Sequence, residues 1–333
     1  MVANVKTGDV DGSDYAETSV SSEYYSSSEL TEMMAGFRKN GFFVTYYGGE
    51  LDFIRADIEG QLERQGRWLQ IVYNTAQSGI GAGRKALVPA YCARRGIHVC
   101  NSDAYVVSLV RHKFHVHCIL QRAGLPTTDT WSFHPQFGWV GGAPKSGEKL
   151  IAKATFESSS IGLTPECVGV QSKEFEEVLK KKCSEYQQPF VAQRFISGFE
   201  VEVPLIELDR MRALDVVSIT LGGTSNLLDQ VLYYDIVDSQ SYDFGHSDYL
   251  TTSQRSRIMS IAEEVATVLG IRGIGRVDFR IDTAGCPHVT DVSTSPHLVE
   301  HGSVSRAFEW TGLSHADMLA AMVGANAKRW GIA

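Results

Sequence analysis

The hydrophobic pattern changes period repeatedly along the chain, and each change marks an element. From Ser28, SELTEMMAGFRKNG spaces its apolar residues at helical intervals behind a Ser/Glu start and stops at Gly41. FFVTYY (42–47) and WLQIVYN (68–74) are short apolar runs that predict buried strands. A glycine-containing loop, NTAQSGIGAGRKALVPAYCARRG, leads into a helix, and IHVCNS (97–102) predicts a further strand. Strands and helices alternating in this way predict a parallel sheet flanked by helices, ending near residue 105. Residues 1–28, rich in Ser, Thr, Tyr, Asp and Gly, read as a loose arm ahead of it.

A second unit, 106–192, is entered by one long helical pattern, DAYVVSLVRHKFHVHCILQRAG, closed by Gly124 and Pro126. KLIAKATFESSSIG is a strand running into a Ser-rich turn, and SKEFEEVLKKKCSEY is an amphipathic helix with a Ser cap. PFVAQRFISGFEVEVPLIEL reads as two strands separated at Ser197–Gly198, which opens a third unit, 193–333. That unit holds RALDVVSITL, a loop around 235–250, the helix TSQRSRIMSIAEEVATVLG and a last helix, SHADMLAAMVGANAKRWG. Between those helices, GRVDFRIDTAGCPHVTDVSTSPHL folds back on itself about Ala284–Gly285. The chain carries no internal repeat.

Composition narrows the class. At 333 residues the chain is too long for one core, and 43% hydrophobic with 21% charged residues is that of a globular protein. A net charge of −8 argues against a nucleic-acid partner, yet allows a local basic pocket for a phosphate. No apolar run reaches the roughly 18 residues that a membrane span needs. The first twenty residues lack the apolar core of a secretory leader. Six cysteines without metal-ligand spacing predict reduced thiols in a cytoplasmic protein.

Four features carry chemistry. Lys153 ends an apolar strand before a small-residue loop, an arrangement that suits phosphate binding; the alternative is a solvated strand-end lysine. Glu200 and Glu202 share a strand face near Gln193, as a site or as a solvated surface. Lys113 lies in a helical pattern where lysines are ordinarily solvated. In the hairpin, a constant sum of residue numbers sets Asp278 opposite Asp291, where Cβ atoms lie roughly 5 Å apart and like charges repel. Ser293 shares the face of Asp291, and Arg276 that of Asp278. Two carboxylates and a hydroxyl form a hard-oxygen site for Mg²⁺; the alternative is a surface hairpin whose acids Arg276 and Arg280 offset.

Taken in order, Lys113, Lys153 before ESSSIG, FISGFEVEV and GRVDFRID…VTDVSTSP resemble the D-alanine–D-alanine ligase-like branch of the ATP-grasp superfamily, over roughly residues 100–320. LVRHKFHVHCILQRAGLPTTDTW looks like that family's approach to its central domain. The resemblance implies an α/β protein (α+β in the ATP-binding part) of three domains. The N-terminal parallel-sheet domain would be followed by central and C-terminal domains that sandwich ATP. It implies that Lys113 and Lys153 hold the phosphates under a loop containing Ser158, Ser159, Ser160 and Gly162. Ser159 would position the first substrate, and Glu23 would hold its amino group. The backbone of Phe195 and Ile196 would meet adenine, with Gln193 accepting from its amino group, and Glu200 would bind the ribose. Asp278, Asp291 and Ser293 occupy metal-ligand positions for one or two Mg²⁺ ions, with Mn²⁺ as a substitute. Arg276 and a backbone N–H near His297 would neutralise the tetrahedral intermediate, and Gly302 and Ser303 would receive the second substrate's carboxylate. The family is commonly dimeric.

The departures fall mostly on the substrate side. The family's Glu-x-Asn is Asp291-Val292-Ser293 here, its Gly after Pro is His297, and its His-Gly aligns with Asn74-Thr75. The Lys-Tyr pair of its flexible loop is missing from YYDIVDSQSYDFGHSDY, where Tyr242 is the substitute. These changes keep ATP and alter the substrates. The expectation is an ATP-dependent carboxylate–amine ligase working through an acyl phosphate on amino-acid-like substrates other than two D-alanines, as in natural-product biosynthesis. Its alternatives are a genuine D-alanine–D-alanine ligase and a non-catalytic ATP-binding protein.

Overall fold

The parallel pairing expected of the N-terminal third is present but small. The computed structural model describes residues 1–6, 18–64 and 69–332. In it the helices α1 (Ser27–Lys39), α2 (Glu50–Ile58) and α3 (Gln61–Arg64) precede β1 (Ile71–Tyr73), α4 (Leu87–Arg95) and β2 (His98–Cys100). β1 and β2 pair in parallel. FFVTYY is not a strand: among the described residues its β-pairing is a single parallel bridge from Tyr47 to Val2. The start of the chain explains this. Val2 also bridges Asn74, so Met1–Val5 lies between the two segments in the place of a central strand. Val2 and Ala3 are fully buried, and Val20, Tyr24 and Tyr25 are buried as well. The described parts of the arm are therefore packed, because VANV is itself an apolar extended segment. Residues 7–17 of it lie outside the described residues.

The long helix expected at 103–124 is two: α5 (Ala104–Arg111) and α6 (Lys113–Arg122). His112 between them leaves the helical region at φ −91°, ψ 86°. The break turns Arg111 and Lys113, neighbours but one in sequence, toward different carboxylates, Glu23 and Asp291.

A five-stranded antiparallel sheet follows, built from β3 (Thr130–His134), β4 (Gly138–Val140), β5 (Lys149–Ala154), β6 (Val168–Val170) and β7 (Phe190–Arg194) in the order β4-β3-β7-β5-β6. Its helix α7 (Lys173–Tyr186) packs Phe175, Leu179 and Cys183 against Leu150, Ala152 and Ala154. By alternation, Ile151 and Lys153 point to the opposite face.

The remaining strands are β8 (Gly198–Glu207), β9 (Met211–Ala213), β10 (Val217–Thr220), β11 (Asn226–Leu228), β12 (Asp243–His246), β13 (Ile274–Asp282) and β14 (Pro287–Ser293). They form a second antiparallel sheet in the order β12-β10-β8-β13-β14, with β9 and β11 also pairing with β8. The helices of this region are α8 (Tyr234–Asp238), α9 (Thr252–Leu269), α10 (Ser303–Glu309) and α11 (His315–Arg329). α5, α6 and α9 cover one face, where Val106, Leu120 and Ile258 meet Val201, Val203, Val277 and Phe279. The other face, carrying Glu200, Glu202, Arg276, Asp278 and Arg280, is left for the cavity. α11 instead packs on α1, so the last helix closes the core of the first unit. Gly198 is required where β8 starts: at φ 144°, a Cβ there would collide with the Ile281 carbonyl.

Candidate functional site

The hairpin pairs Asp278 with Asp291 as its alternation predicts, but the constant sum fails beyond them. Arg276, Val277 and Asp278 face Ser293, Val292 and Asp291, whereas Phe279 faces Val289. A bulge at Thr290 takes up the difference, and its Oγ1 donates to the Asp278 carbonyl. The turn is accordingly one residue longer than a two-residue loop: Asp282 Oδ1 accepts from the Ala284 and Cys286 N–H groups, with Gly285 at φ 80°.

Across the next strand pair Asp278 faces Glu202, and Arg280 faces Glu200. Charges therefore alternate in sign along β13, while across the strands Asp278 has an acid on either side. The Arg276 guanidinium grips both Asp278 oxygens at 2.7 and 2.8 Å and reaches Glu202 at 3.2 Å. Arg280 holds Glu200 at 2.8 Å and donates to the carbonyls of Ile196 and Leu228. Burial pushes the Glu202 carboxyl up to about 7 and raises Asp278 as well, in both cases against the opposing pull of Arg276.

The Glu202 shift predicts a pH dependence. A carboxyl held above its ordinary 4.5 in the fold contributes stability that is complete below that value and is lost as pH rises through about 7. In ligand-free protein with chelator present, Glu202→Gln should gain on the wild type by about 3 kcal/mol between pH 4.5 and pH 8. Denaturant unfolding of both proteins at the two pH values measures this; a gap that does not change with pH contradicts it.

Over this face stand the two lysines. Lys113, buried, makes a 2.7 Å ion pair with Asp291, so the solvated-helix alternative does not hold. Lys153 reaches across from the other sheet to within 3.5 Å of the Thr290 carbonyl, and burial lowers its pKa. Gln193 is buried, with its amide nitrogen 2.7 Å from His117 Nε2. At the adjoining turn the Phe195 N–H is committed to the Lys149 carbonyl, and the Ile196 carbonyl to Arg280. These groups line one cavity of about 500 Å³ between the two sheets.

Ser158, Ser159 and Ser160 line it too, with Ser159 and Ser160 at φ 51° and 54°, a left-handed pair that bends the loop toward the cavity. Gly162 does not line it but packs flat against Tyr186. Tyr242 is at the rim, its hydroxyl pushed up to about 12 by burial and the nearby acids. Glu23 is found among cations: Arg84 and Arg111 at 2.6 and 2.7 Å, Lys85 at 3.6 Å, and the Ser158 N–H at 3.0 Å. That company holds its carboxyl well below the usual range despite complete burial. Asn74 corrects the sequence reading: it is buried away from the cavity lining, its Oδ1 accepting from the Ala76 N–H. The short side chain caps its own turn, and the chain start covers it.

At the far end lie Ser293, His297, Gly302 and Ser303, with Glu29 of α1 facing them. Sequence reasoning missed Glu29, Arg84, Lys85 and Arg111. The Arg-Lys pair at the end of the glycine loop was a usable signal; Glu29 was concealed by its second role, in a capping box with Ser26. The true cap is Ser26, two residues before the expected start.

Asp278 and Asp291, on paired positions of adjacent strands, and Ser293, two residues beyond Asp291, supply only oxygen donors, and that set fits a hard cation whose shell is completed by phosphate and water. Arg276 and Lys113 neutralise the two acids. Among the described residues no helix is long and apolar enough to cross a membrane.

Comparison with known proteins covers much of the same chain. A family model described as the D-ala D-ala ligase C-terminus matches residues 143–324. The chain is 25% identical over 223 residues to D-alanine–D-alanine ligase of Neisseria meningitidis serogroup B, covering 67% of this chain and 70% of the relative. It is 28% identical over 236 residues to the Bordetella pertussis ligase, covering 68% and 70%. In three dimensions it superposes on D-alanine–D-alanine ligase from Bacillus anthracis complexed with ATP at a TM-score of 0.70, with 14% identity over 98% of this chain and 96% of the other. VanG D-Ala:D-Ser ligase from Enterococcus faecalis matches at 0.69, with 17% identity over 98% of each chain.

Proposed function

The chain belongs to the D-Ala–D-Ala ligase C-terminus family, with an ATP-grasp fold, and on that footing we propose that it is an ATP-dependent ligase joining a carboxylate to an amine through an acyl phosphate. The observation that carries the reading is the convergence of Lys113, Lys153, Arg276 and the paired acids Asp278 and Asp291 on one cavity between two antiparallel sheets.

In this reading Lys113 and Lys153 bind the nucleotide phosphates, and binding draws Lys113 off Asp291. Phosphoryl transfer to the acyl donor then depends on positioning and charge neutralisation. Asp278, Asp291 and Ser293 would hold Mg²⁺, which supplies charge neutralisation at the phosphates when bound. Glu200, fixed by Arg280, faces the ribose, and Gln193 the base. Arg276 donates to the developing oxyanion when the amine attacks. The Ser158–Ser160 loop and Tyr242 shut out water that would hydrolyse the acyl phosphate.

We infer further that the substrates are not two D-alanines. Glu23 is already saturated by arginines, and an imidazole, His297, stands at the amine end. The resemblance also supports a cytoplasmic homodimer. The test is ADP release with ATP, Mg²⁺ and a panel of amino acids, alone and in pairs, with products identified by mass spectrometry. Release with a mixed pair is expected. D-Alanine alone sufficing would restore the alanine reading, and no release with any pair would leave a nucleotide-binding protein without ligase chemistry.

A further inference from the structure

We propose that His297, aligned by Glu29, accepts the proton that the attacking amine must lose. The inference rests on the ligase reading, and it concerns a step for which that reading names no base. An amino group reaches the site as an ammonium ion at neutral pH and cannot attack until it gives up a proton.

The geometry around His297 is that of an oriented base. Its ring stacks on the buried Tyr25 ring at 4.4 Å and 24°. Tyr25 is itself held by the Tyr73 hydroxyl at 3.2 Å and by the Leu298 N–H. On the ring edge, Nε2 lies 3.5 Å from Glu29 Oε1. The other Glu29 oxygen is pinned at 2.7 Å by the Ser26 N–H of the helix cap, so the carboxylate has a fixed direction. Against burial, which pushes the Glu29 carboxyl up, His297 and Ser26 together bring it down to about 2, keeping it a carboxylate. A carboxylate at Nε2 favours a proton there and leaves Nδ1 as the acceptor. The side chain is 38% exposed and lines the cavity four residues after Ser293. Among the described residues, Tyr25 and Glu29 meet the ring directly, and His301 shares Glu29 with it, its Nε2 3.8 Å from the same Glu29 oxygen.

The cavity's paired acids are already engaged: Glu200 by Arg280, Glu202 and Asp278 by Arg276, and Asp291 by Lys113. Tyr242, raised to about 12, stays protonated. An imidazole is the side chain whose ordinary basicity matches neutral pH. His297 Nδ1 takes one ammonium proton, the freed nitrogen lone pair forms the C–N bond, and the bond from carbon to the phosphate oxygen breaks. The second amine proton departs with phosphate as HPO₄²⁻, and the imidazolium returns its proton to solvent.

The experiment uses an acyl donor and amine that release ADP in the panel assay. His297→Gln should lower amide formation at pH 7 by about 100-fold. With hydroxylamine, largely neutral at that pH, the loss should fall below about tenfold. Equal losses with both nucleophiles overturn the proposal, because a packing fault at Tyr25 would act on both. Ring ¹⁵N spectra of the full chain need no substrate. They should show the Nε2–H form of His297 in the wild type and its loss in Glu29→Gln, where glutamine retains the capping contact. An unchanged tautomer removes Glu29 from the proposal. Intact spectra without ADP release from any pair would instead overturn the ligase reading.

Discussion

Arg276→Met should lower the unfolding free energy by about 3–5 kcal/mol at pH 8 and reduce ligation by on the order of 1000-fold. Both losses have one origin. The guanidinium lies between Asp278 and Glu202, which face each other on adjacent strands, Glu202 buried and Asp278 partly so. Removing it leaves two acids with no counter-charge, and Lys113 is committed to Asp291. In the proposed ligase reaction the same removal takes away the donor assigned to the oxyanion. Denaturant unfolding gives the first effect, and it should shrink as pH falls and the raised Glu202 protonates. ADP release under saturating ATP gives the second. A variant that unfolds like the wild type at pH 8 would show that the acids are paired otherwise than described.

Glu23→Gln should cost about 3–5 kcal/mol of stability, more than a substrate-binding residue ought to. Its carboxylate joins Arg84, Arg111, Lys85 and the Ser158 N–H, and so ties three separate segments to the Ser-rich loop. The carboxylate oxygens are the meeting point of two buried guanidinium groups, and an amide would leave those charges short of compensation. Thermal or denaturant unfolding reads the loss. If Glu23 instead served mainly to hold a substrate amino group, stability would be unchanged and only KM for the acyl donor would rise.

Alternation alone was enough to place the charged face that lines the cavity. Because successive strand residues point to opposite sides, Arg276, Asp278 and Arg280 had to share a face, as did Glu200 and Glu202. The opposition of Asp278 and Asp291 also followed from the hairpin, although a bulge at Thr290 and a longer turn offset each other to produce it. Local signals failed where a partner distant in sequence decides the outcome. FFVTYY has the composition of a strand, but it lies beside Met1–Val5, whose chain start makes only bridge pairings. The helix at 103–124 has continuous helical periodicity, yet it breaks at His112, where Arg111 and Lys113 reach carboxylates 88 and 178 residues away. Asn74, put on the substrate side by the alignment of the family's His-Gly with Asn74-Thr75, is instead a buried turn cap outside the cavity lining.

What the amino-acid sequence determined by itself was the order of the chemical groups and the faces they occupy, since strand and helix periods act between near neighbours. Only the tertiary structure decided which charges meet. Lys113 opposite Asp291, Glu23 among arginines and Glu29 beside His297 are contacts between distant segments. Their energies depend on burial and on distance, and no local pattern encodes either.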